Sequence, residues 1–120
     1  MNHKRIGDQA EALACHFLQQ RGLALLTRNF HCRRGEIDLI MRDRDALVFV
    51  EVRYRRQTRY GRAAETVARS KQVRIIHCAQ YYMHCHHAWN SAARFDVVSI
   101  EGEPDDPVID WLKDAFRLDA

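Results

Sequence analysis

The sequence has no long apolar run, and this limits the kinds of protein that it can encode. No stretch of the 120 residues approaches the ~20 consecutive apolar residues that a membrane-spanning helix requires. Met1 to Arg5, followed by an amphipathic segment, do not form a secretory signal. We therefore expect a cytoplasmic protein without membrane contact, folded as one domain over residues 1–120.

Cysteine pairs at metal-binding spacing are also missing, since no two cysteines form a Cys-x-x-Cys motif. In a reducing compartment the simplest expectation is four free thiols and no disulfide. The four are Cys15, Cys32, Cys78 and Cys85. Histidines accompany the last two at 77–78 and 84–87. Neighbouring helix positions point in different directions and no second ligand pair follows, so we predict no structural zinc site there.

Charge of one sign is not in large excess, because 19 lysines and arginines against 16 acids give a net charge of +3. The arginines are nevertheless clustered around two apolar runs. Phosphate backbones respond to a local positive surface, so clustering favours a polyanionic partner, although an arginine run is more often only a solvated face. The clustered arginines are Arg33, Arg34, Arg53, Arg55, Arg56, Arg59 and Arg62.

Two apolar, β-branched runs lie on either side of a short polar turn at residues 43–46. This pattern predicts two antiparallel strands joined by a hairpin. Each run contains one acid: Asp38 in the first, and Glu51 in the second, on the face that Leu47 and Phe49 share. A carboxylate among apolar neighbours is costly unless it is paired, and two adjacent carboxylates repel unless a divalent cation lies between them. We therefore expect Asp38 and Glu51 to bind a divalent metal.

Hydrophobic periodicity predicts the other elements. It favours a helix over 4–20, a strand over 23–32, a helix from Thr66 or Ser70 to about 87, and a strand over 93–101. Segment 108–112 fits a strand or a short helix equally. The order gives an α/β fold, with a mixed sheet of four to five strands and helices on its faces.

Polar residues on the predicted helices are further candidates. Glu11 lies beside the buried face of the first helix, which fits either a third acid of the site or a surface glutamate paired with His3 or Lys4. On the second helix, Lys71 and Gln72 could reach a site at the sheet edge. A lysine on a helix shoulder equally often only covers apolar surface.

Taken together, the motifs along the chain resemble the bacterial YraN-type family, which is similar to a branch of the PD-(D/E)XK nuclease superfamily. The matching positions are Gly7, Ala10-Glu11, Asn29, 35–40, 49–53, Lys71 and 94–96. The resemblance implies a restriction-endonuclease-like, three-layer α/β/α core. For Arg94 and Asp96 within this match, we expect a buried pair that fixes the strand.

The resemblance also implies a reaction, which is phosphodiester hydrolysis in DNA, including branched DNA. It implies Mg²⁺ or Mn²⁺ held by Asp38, Glu51 and the carbonyl of Val52, with Glu11 near the metal. Junction-cleaving members of the superfamily act as dimers, so a homodimer is one expected arrangement. The residues expected to contact nucleic acid are Arg33, Arg34, Arg55, Arg56, Arg59, Arg62, Lys71 and Gln72.

One position departs from the superfamily pattern, because Arg53 occupies the place of the lysine in the usual Glu-x-Lys motif. An arginine can clamp a phosphate through two hydrogen bonds, but it does not act as a general base. Two alternatives to a nuclease therefore stay open. One is a nucleic-acid-binding domain without catalysis. The other is a structural protein in which Asp38 and Glu51 pair with Arg53 or Arg94 in a buried network.

Overall fold

A computed structural model describes residues 3–55, 67–103 and 105–117, with side chains from Ile6 onward. Two helices and five strands are formed in these ranges. In chain order they are α1 (His3–Gln20), β1 (Ala24–Cys32), β2 (Gly35–Asp43), β3 (Ala46–Arg55), α2 (Arg69–Cys85), β4 (Ala93–Glu101) and β5 (Val108–Phe116).

The five strands form one mixed sheet in the order β1-β2-β3-β4-β5. Strands β3 and β4 are parallel and are joined through α2, whereas the other neighbours are antiparallel. A parallel pair needs a crossover, and α2 supplies it. Residues of α1 and α2 belong to separate buried clusters with the sheet between them. The expected α/β fold, with helices on both faces of a mixed sheet, is confirmed.

Strand β3 is covered on both faces because its apolar side chains alternate between the two clusters. Leu47 and Phe49 pack in the cluster of α2, while Val48 and Val50 pack in the cluster of α1. The predicted hairpin is confirmed, with Arg44 and Asp45 as its turn. Glu51 therefore lies inside a buried strand, and only 7% of its surface is exposed.

Two element assignments that periodicity left open are decided by the structure. Segment 108–112 is the first part of β5, which pairs antiparallel with β4 and supplies the fifth strand. Helix α2 begins after Ala68, which makes no side-chain capping bond. The expected cap at Ser70 is wrong because this residue lies within the first helical turn, and Thr66 lies outside the described residues. Within the described ranges, no helix is long and apolar enough to cross a membrane.

The expectation of four free thiols is wrong for two cysteines. Cys32, at the end of β1, and Cys78, in α2, form a disulfide with their Cα atoms 5.6 Å apart. The two are separated by 46 residues, so local spacing could not indicate the pairing. Helix α2 returns across the sheet and brings them together. Cys15 is buried and Cys85 is exposed, and both are free.

Asp96 is the centre of a buried polar network that joins β4 to β5 and to the hairpin. The Nε of Arg94 donates to Asp96 at 3.1 Å, which confirms the expected buried pair. Trp111 Nε1 and the backbone N–H of Asp114 also donate to this carboxylate, each at 2.9 Å. Arg94 also forms an ion pair with Asp43 in the hairpin, with its Nη1 2.9 Å from Asp43 Oδ2. These bonds compensate a charged group whose exposure is 0%.

Candidate functional site

The hairpin places Asp38 beside Glu51. Leu39 of β2 is opposite Val50 of β3, and Asp38 and Glu51 are the next residues along each strand. Their carboxyl groups are joined by a hydrogen bond. The backbone N–H of Val52 donates to Asp38 Oδ2 at 2.8 Å. Backbone hydrogen bonds hold neighbouring strands about 4.8 Å apart. The sheet itself therefore fixes the position of this carboxyl pair.

The surroundings of Asp38 change its protonation. Burial is the largest influence, and together with the hydrogen bond and negative charge of Glu51 it raises the pKa of Asp38 from 3.8 to about 9. The N–H of Val52 acts in the opposite direction. At neutral pH, Asp38 therefore keeps its proton and donates it to an oxygen of Glu51. A divalent cation that binds here could replace the proton of Asp38.

A cavity of about 190 Å³ opens at the carboxyl pair. Its walls come from four elements: Glu11 of α1, Asp38 of β2, Glu51 and Val52 of β3, and Lys71 of α2. A water molecule occupies about 30 Å³ of liquid. The cavity therefore has room for a cation with several waters, and its polar walls suit such an occupant.

Lys71 reaches this cavity from α2. Its Nζ is 2.9 Å from Glu51 Oε2, and its side chain is 51% exposed. From the sequence we predicted that Lys71 could reach a site at the sheet edge and contact nucleic acid. The structure places its ammonium beside Glu51, and the contact to nucleic acid stays a prediction. The amine remains open to solvent while neutralising a buried carboxylate. Removal of Lys71 would therefore leave the buried carboxylate of Glu51 without this neutralising charge.

Glu11 has a carboxylate oxygen without a partner. Its Oε1 is buried and accepts no hydrogen bond within the described part of the chain. Burial, followed by the charge of Asp8, raises the pKa of Glu11, while Arg28 and a hydrogen bond from Asn29 lower it. The alternative partners, the side chains of His3 and Lys4, lie outside the described residues. An orphaned oxygen beside two other acids is costly and marks a place where a cation would be favourable.

The residues of this cavity fit a hard divalent cation. Every candidate ligand is an oxygen, which Mg²⁺ and Mn²⁺ prefer, and the orphaned Glu11 oxygen would gain a favourable charge. Across the ranges that the structure describes, no three or more His, Cys, Asp or Glu side chains converge as a ready metal site. Asp38, Glu51 and the backbone of Val52 are thus the residues that could hold the ion, with Glu11 nearby.

The other predicted site residues that the structure describes are not part of the cavity wall. Arg33 and Arg34 are exposed in the β1–β2 turn, and Arg53 and Arg55 are partly buried in β3. Gln72 is engaged locally, because its amide donates to the carbonyl of Val67 at 3.0 Å. Arg56, Arg59 and Arg62 lie outside the described residues.

Sequence reasoning missed two residues of the cavity wall, Glu36 and Tyr54. Glu36 precedes Asp38 by two positions, so strand alternation was a usable signal for it. Tyr54 follows Val52 by two positions in the same way, and its hydroxyl donates to the carbonyl of Gly102 at 3.1 Å. This bond ties the end of β3 to the end of β4.

Comparison with known proteins identifies the family. The model of "Uncharacterised protein family UPF0102" matches residues 10–100 of this chain. The chain belongs to the UPF0102 family. A UPF0102 protein of Nitrosococcus oceani is 54% identical over 119 residues, covering 98% of this chain and 96% of that protein. The YraN-type resemblance is thereby confirmed.

Two further UPF0102 proteins extend the match. One from Pseudomonas syringae pv. syringae is 47% identical over 115 residues, covering 94% of each chain. One from Aeromonas hydrophila is 51% identical over 112 residues, covering 92% of this chain and 83% of that protein. UPF0102 membership does not specify a reaction, so a functional proposal depends on the geometry of the site.

Proposed function

We propose that this UPF0102 protein is a metal-dependent nuclease that hydrolyses phosphodiester bonds in DNA. The observation that carries the proposal is the carboxyl pair of Asp38 and Glu51, whose two acids lie in contact at the wall of a polar cavity. Glu51 contacts the ammonium of Lys71, but it also contacts a second buried acid, Asp38, which a simple structural ion pair does not explain. Such a pair gains most when a divalent ion replaces its proton.

Each residue of the cavity has a distinct role in this proposal. Asp38 and Glu51 hold the ion, and the N–H of Val52 orients the Asp38 carboxylate. When bound, Mg²⁺ or Mn²⁺ supplies positive charge that polarises the phosphate and makes a water more acidic. The unpartnered oxygen of Glu11 can accept a hydrogen bond from the attacking water.

Lys71 supplies a cation at the cavity wall. Arg53 occupies the lysine position of Glu-x-Lys, and it does not line the cavity. Lys71 approaches the same glutamate from α2, with its Nζ 2.9 Å from Glu51 Oε2. Its ammonium is therefore placed to stabilise the negative charge that develops on the scissile phosphate.

The DNA backbone would lie along the basic surface next to the cavity. Arg33 and Arg34 are exposed at the turn that precedes the Asp38 strand, and Arg55 ends the Glu51 strand. Phosphate contacts of this kind position the substrate without reading its sequence. On the sequence alone, further candidates for DNA contact are Arg56, Arg59, Arg62 and Gln72.

In the structural alternative, Asp38 and Glu51 pair with Arg53 or Arg94, and one of these two arginines is engaged elsewhere. Arg94 pairs with Asp43 and Asp96 and not with the carboxyl pair. The alternative of DNA binding without catalysis is favoured by Arg53 at the lysine position. It predicts salt-sensitive binding that is unaffected by Mg²⁺.

Cleavage of defined DNA substrates tests the proposed function. The purified protein is incubated with linear, flap and four-way-junction DNA in Mg²⁺, Mn²⁺ or EDTA. We expect at least one substrate to be cut with either metal and none in EDTA. Glu51→Gln should lose the activity, and Glu103→Gln, which alters an exposed glutamate, should retain it. Salt-sensitive binding without cleavage of any substrate would instead establish the binding-domain alternative.

Lys71→Met is expected to lower kcat by about 10²-fold, because transition-state charge loses one stabilising cation. KM for DNA should change little, and Lys71→Arg should recover part of the rate because it restores the positive charge. Arg74→Met, which alters an exposed residue one turn further along α2, is the matched control. Steady-state kinetics on the preferred substrate checks this. An effect confined to KM would return Lys71 to the role of a simple DNA contact.

A further inference from the structure

The disulfide between Cys32 and Cys78 lies at the junction of α2 with the sheet. Cys32 is the last residue of β1, and Cys78 has 0% exposure. Their Cα separation of 5.6 Å is in the normal range for a disulfide, so the bond fits the backbone as folded. The adjoining turn is close as well, since a Cβ on Gly35 would lie 3.9 Å from Cys78 Sγ.

The first turn of α2, which carries Lys71, is largely exposed to solvent. Arg69, Ser70 and Lys71 are exposed, and the buried residues of the helix begin only at Ile75. The cap residue Ala68 makes no side-chain bond, and no acid lies in the first turn to favour the helix dipole. Helix termini of this kind open locally at low cost in free energy.

Lys71 and Cys78 share one side of the helix. Seven positions separate them, which corresponds to two helical turns and a rise of about 10 Å. That side meets the beginning of β2, where Gly35 lies three positions before Asp38. A covalent bond at Cys78 therefore fixes the helix next to the strand that carries one acid of the carboxyl pair.

We propose that Cys32 and Cys78 are a reversible oxidation site that controls the contact between Lys71 and Glu51. When the disulfide is formed, α2 is fixed against β1 and β2, and Lys71 stays on Glu51. When the disulfide is reduced, the first turns of α2 separate from the sheet more often and the contact weakens. The consequence for cleavage depends on the proposed nuclease function, whereas the movement of Lys71 does not.

A low-molecular-weight disulfide, such as glutathione disulfide, can serve as the oxidant that forms the bond between Cys32 and Cys78. One cysteine thiolate attacks a sulfur of the small disulfide, forming a mixed disulfide and releasing one small thiolate. The second cysteine thiolate then attacks the protein sulfur and displaces the other small thiolate. The protein loses two electrons and two protons, and two small thiols are produced. Dithiothreitol reverses the exchange.

The accessibility of the Lys71 amine tests this proposal without reference to cleavage. The full chain is oxidised with glutathione disulfide or reduced with dithiothreitol, and its intact mass and alkylated thiols establish the redox state. Acylation of Lys71 is then timed by peptide mass spectrometry. We expect reduction to speed it about fivefold, because the amine leaves Glu51 more often. Lys113, which lies over the Trp111 ring, should be acylated equally in both states.

Variants separate this control from other effects of oxidation. In Cys32→Ser, Lys71 should be acylated in both conditions at the faster rate of the protein without the disulfide. Cys85→Ser, which removes the exposed free thiol of α2, should behave as the unaltered chain. Equal Lys71 rates in oxidised and reduced unaltered protein, or failure of the disulfide to form, would overturn the proposal, and neither result depends on the variants folding. A redox-dependent Lys71 rate in a protein that cuts no DNA would support the oxidation site and refute the nuclease.

Discussion

Asp38→Asn is expected to lower metal-dependent cleavage by about 10³-fold or more, because it removes one of two charged ligands. The same substitution should stabilise the metal-free fold. The pKa of Asp38 is raised from 3.8 to about 9 in the folded protein, so folding takes up a proton between these pH values. The stability of the unaltered protein therefore falls as pH rises from about 4 to about 9.

Asparagine keeps an acceptor for the Val52 N–H and cannot ionise. At pH 8 its free energy of unfolding should exceed that of the unaltered protein by about 1–3 kcal/mol, since each pH unit contributes at most ~1.4 kcal/mol and relaxation reduces the sum. Below pH 4 the two proteins should be similar. Urea unfolding from pH 4 to 9, without metal, measures this difference.

Added Mn²⁺ should reverse the order, because it stabilises only the protein that retains both acids. Asp45→Asn removes an exposed carboxylate from the hairpin turn and should show neither effect. If Asp38→Asn instead lowered stability by several kcal/mol and left metal and DNA binding unchanged, the carboxyl pair would be a structural network.

Asp96→Ala should have the largest effect on stability, a loss of about 3–5 kcal/mol in the free energy of unfolding. The substitution leaves the N–H groups of Trp111 and Asp114 without an acceptor and reduces the pairing of Arg94. The register between β4 and β5 shifts between Phe95 and Val97, so the carboxylate replaces ladder bonds at this irregularity. Unfolding in urea at pH 7 measures the loss.

The conservative change Asp96→Asn should cost less, because an amide oxygen still accepts some of these bonds. Asp105→Asn, at an exposed turn residue, is the control and should change stability by less than about 0.5 kcal/mol. Asp96 does not line the cavity of the carboxyl pair. The folded variant should therefore retain its affinity for Mn²⁺. A stability loss below about 1 kcal/mol would show that water replaces the carboxylate in this network.

The hairpin and its acids could be predicted because the signals are local. Apolar alternation on either side of a short polar turn fixes both the pairing of β2 with β3 and the face of each side chain. Once Asp43 pairs with Ala46 across the turn, the antiparallel register places Asp38 beside Glu51. No tertiary information is needed for that step.

The contacts of α2 could not be predicted in the same way. Lys71 was identified as a candidate, but its position on Glu51 depends on how the crossover helix packs on the sheet. The same packing joins Cys78 to Cys32, and an expectation based on cysteine spacing gave the wrong result. Residue spacing along a helix shows which side chains share a side, but not which strand that side meets.

The sequence by itself determined the α/β class, the family and the adjacency of two acids across a hairpin, because strand alternation and turn position are properties of neighbouring residues. The tertiary structure alone decided that a lysine and an orphaned glutamate oxygen meet those acids, that β5 completes the sheet, and that a disulfide ties α2 to β1. These contacts join residues far apart in the chain, and they form only when burial of two apolar faces brings both helices onto one sheet.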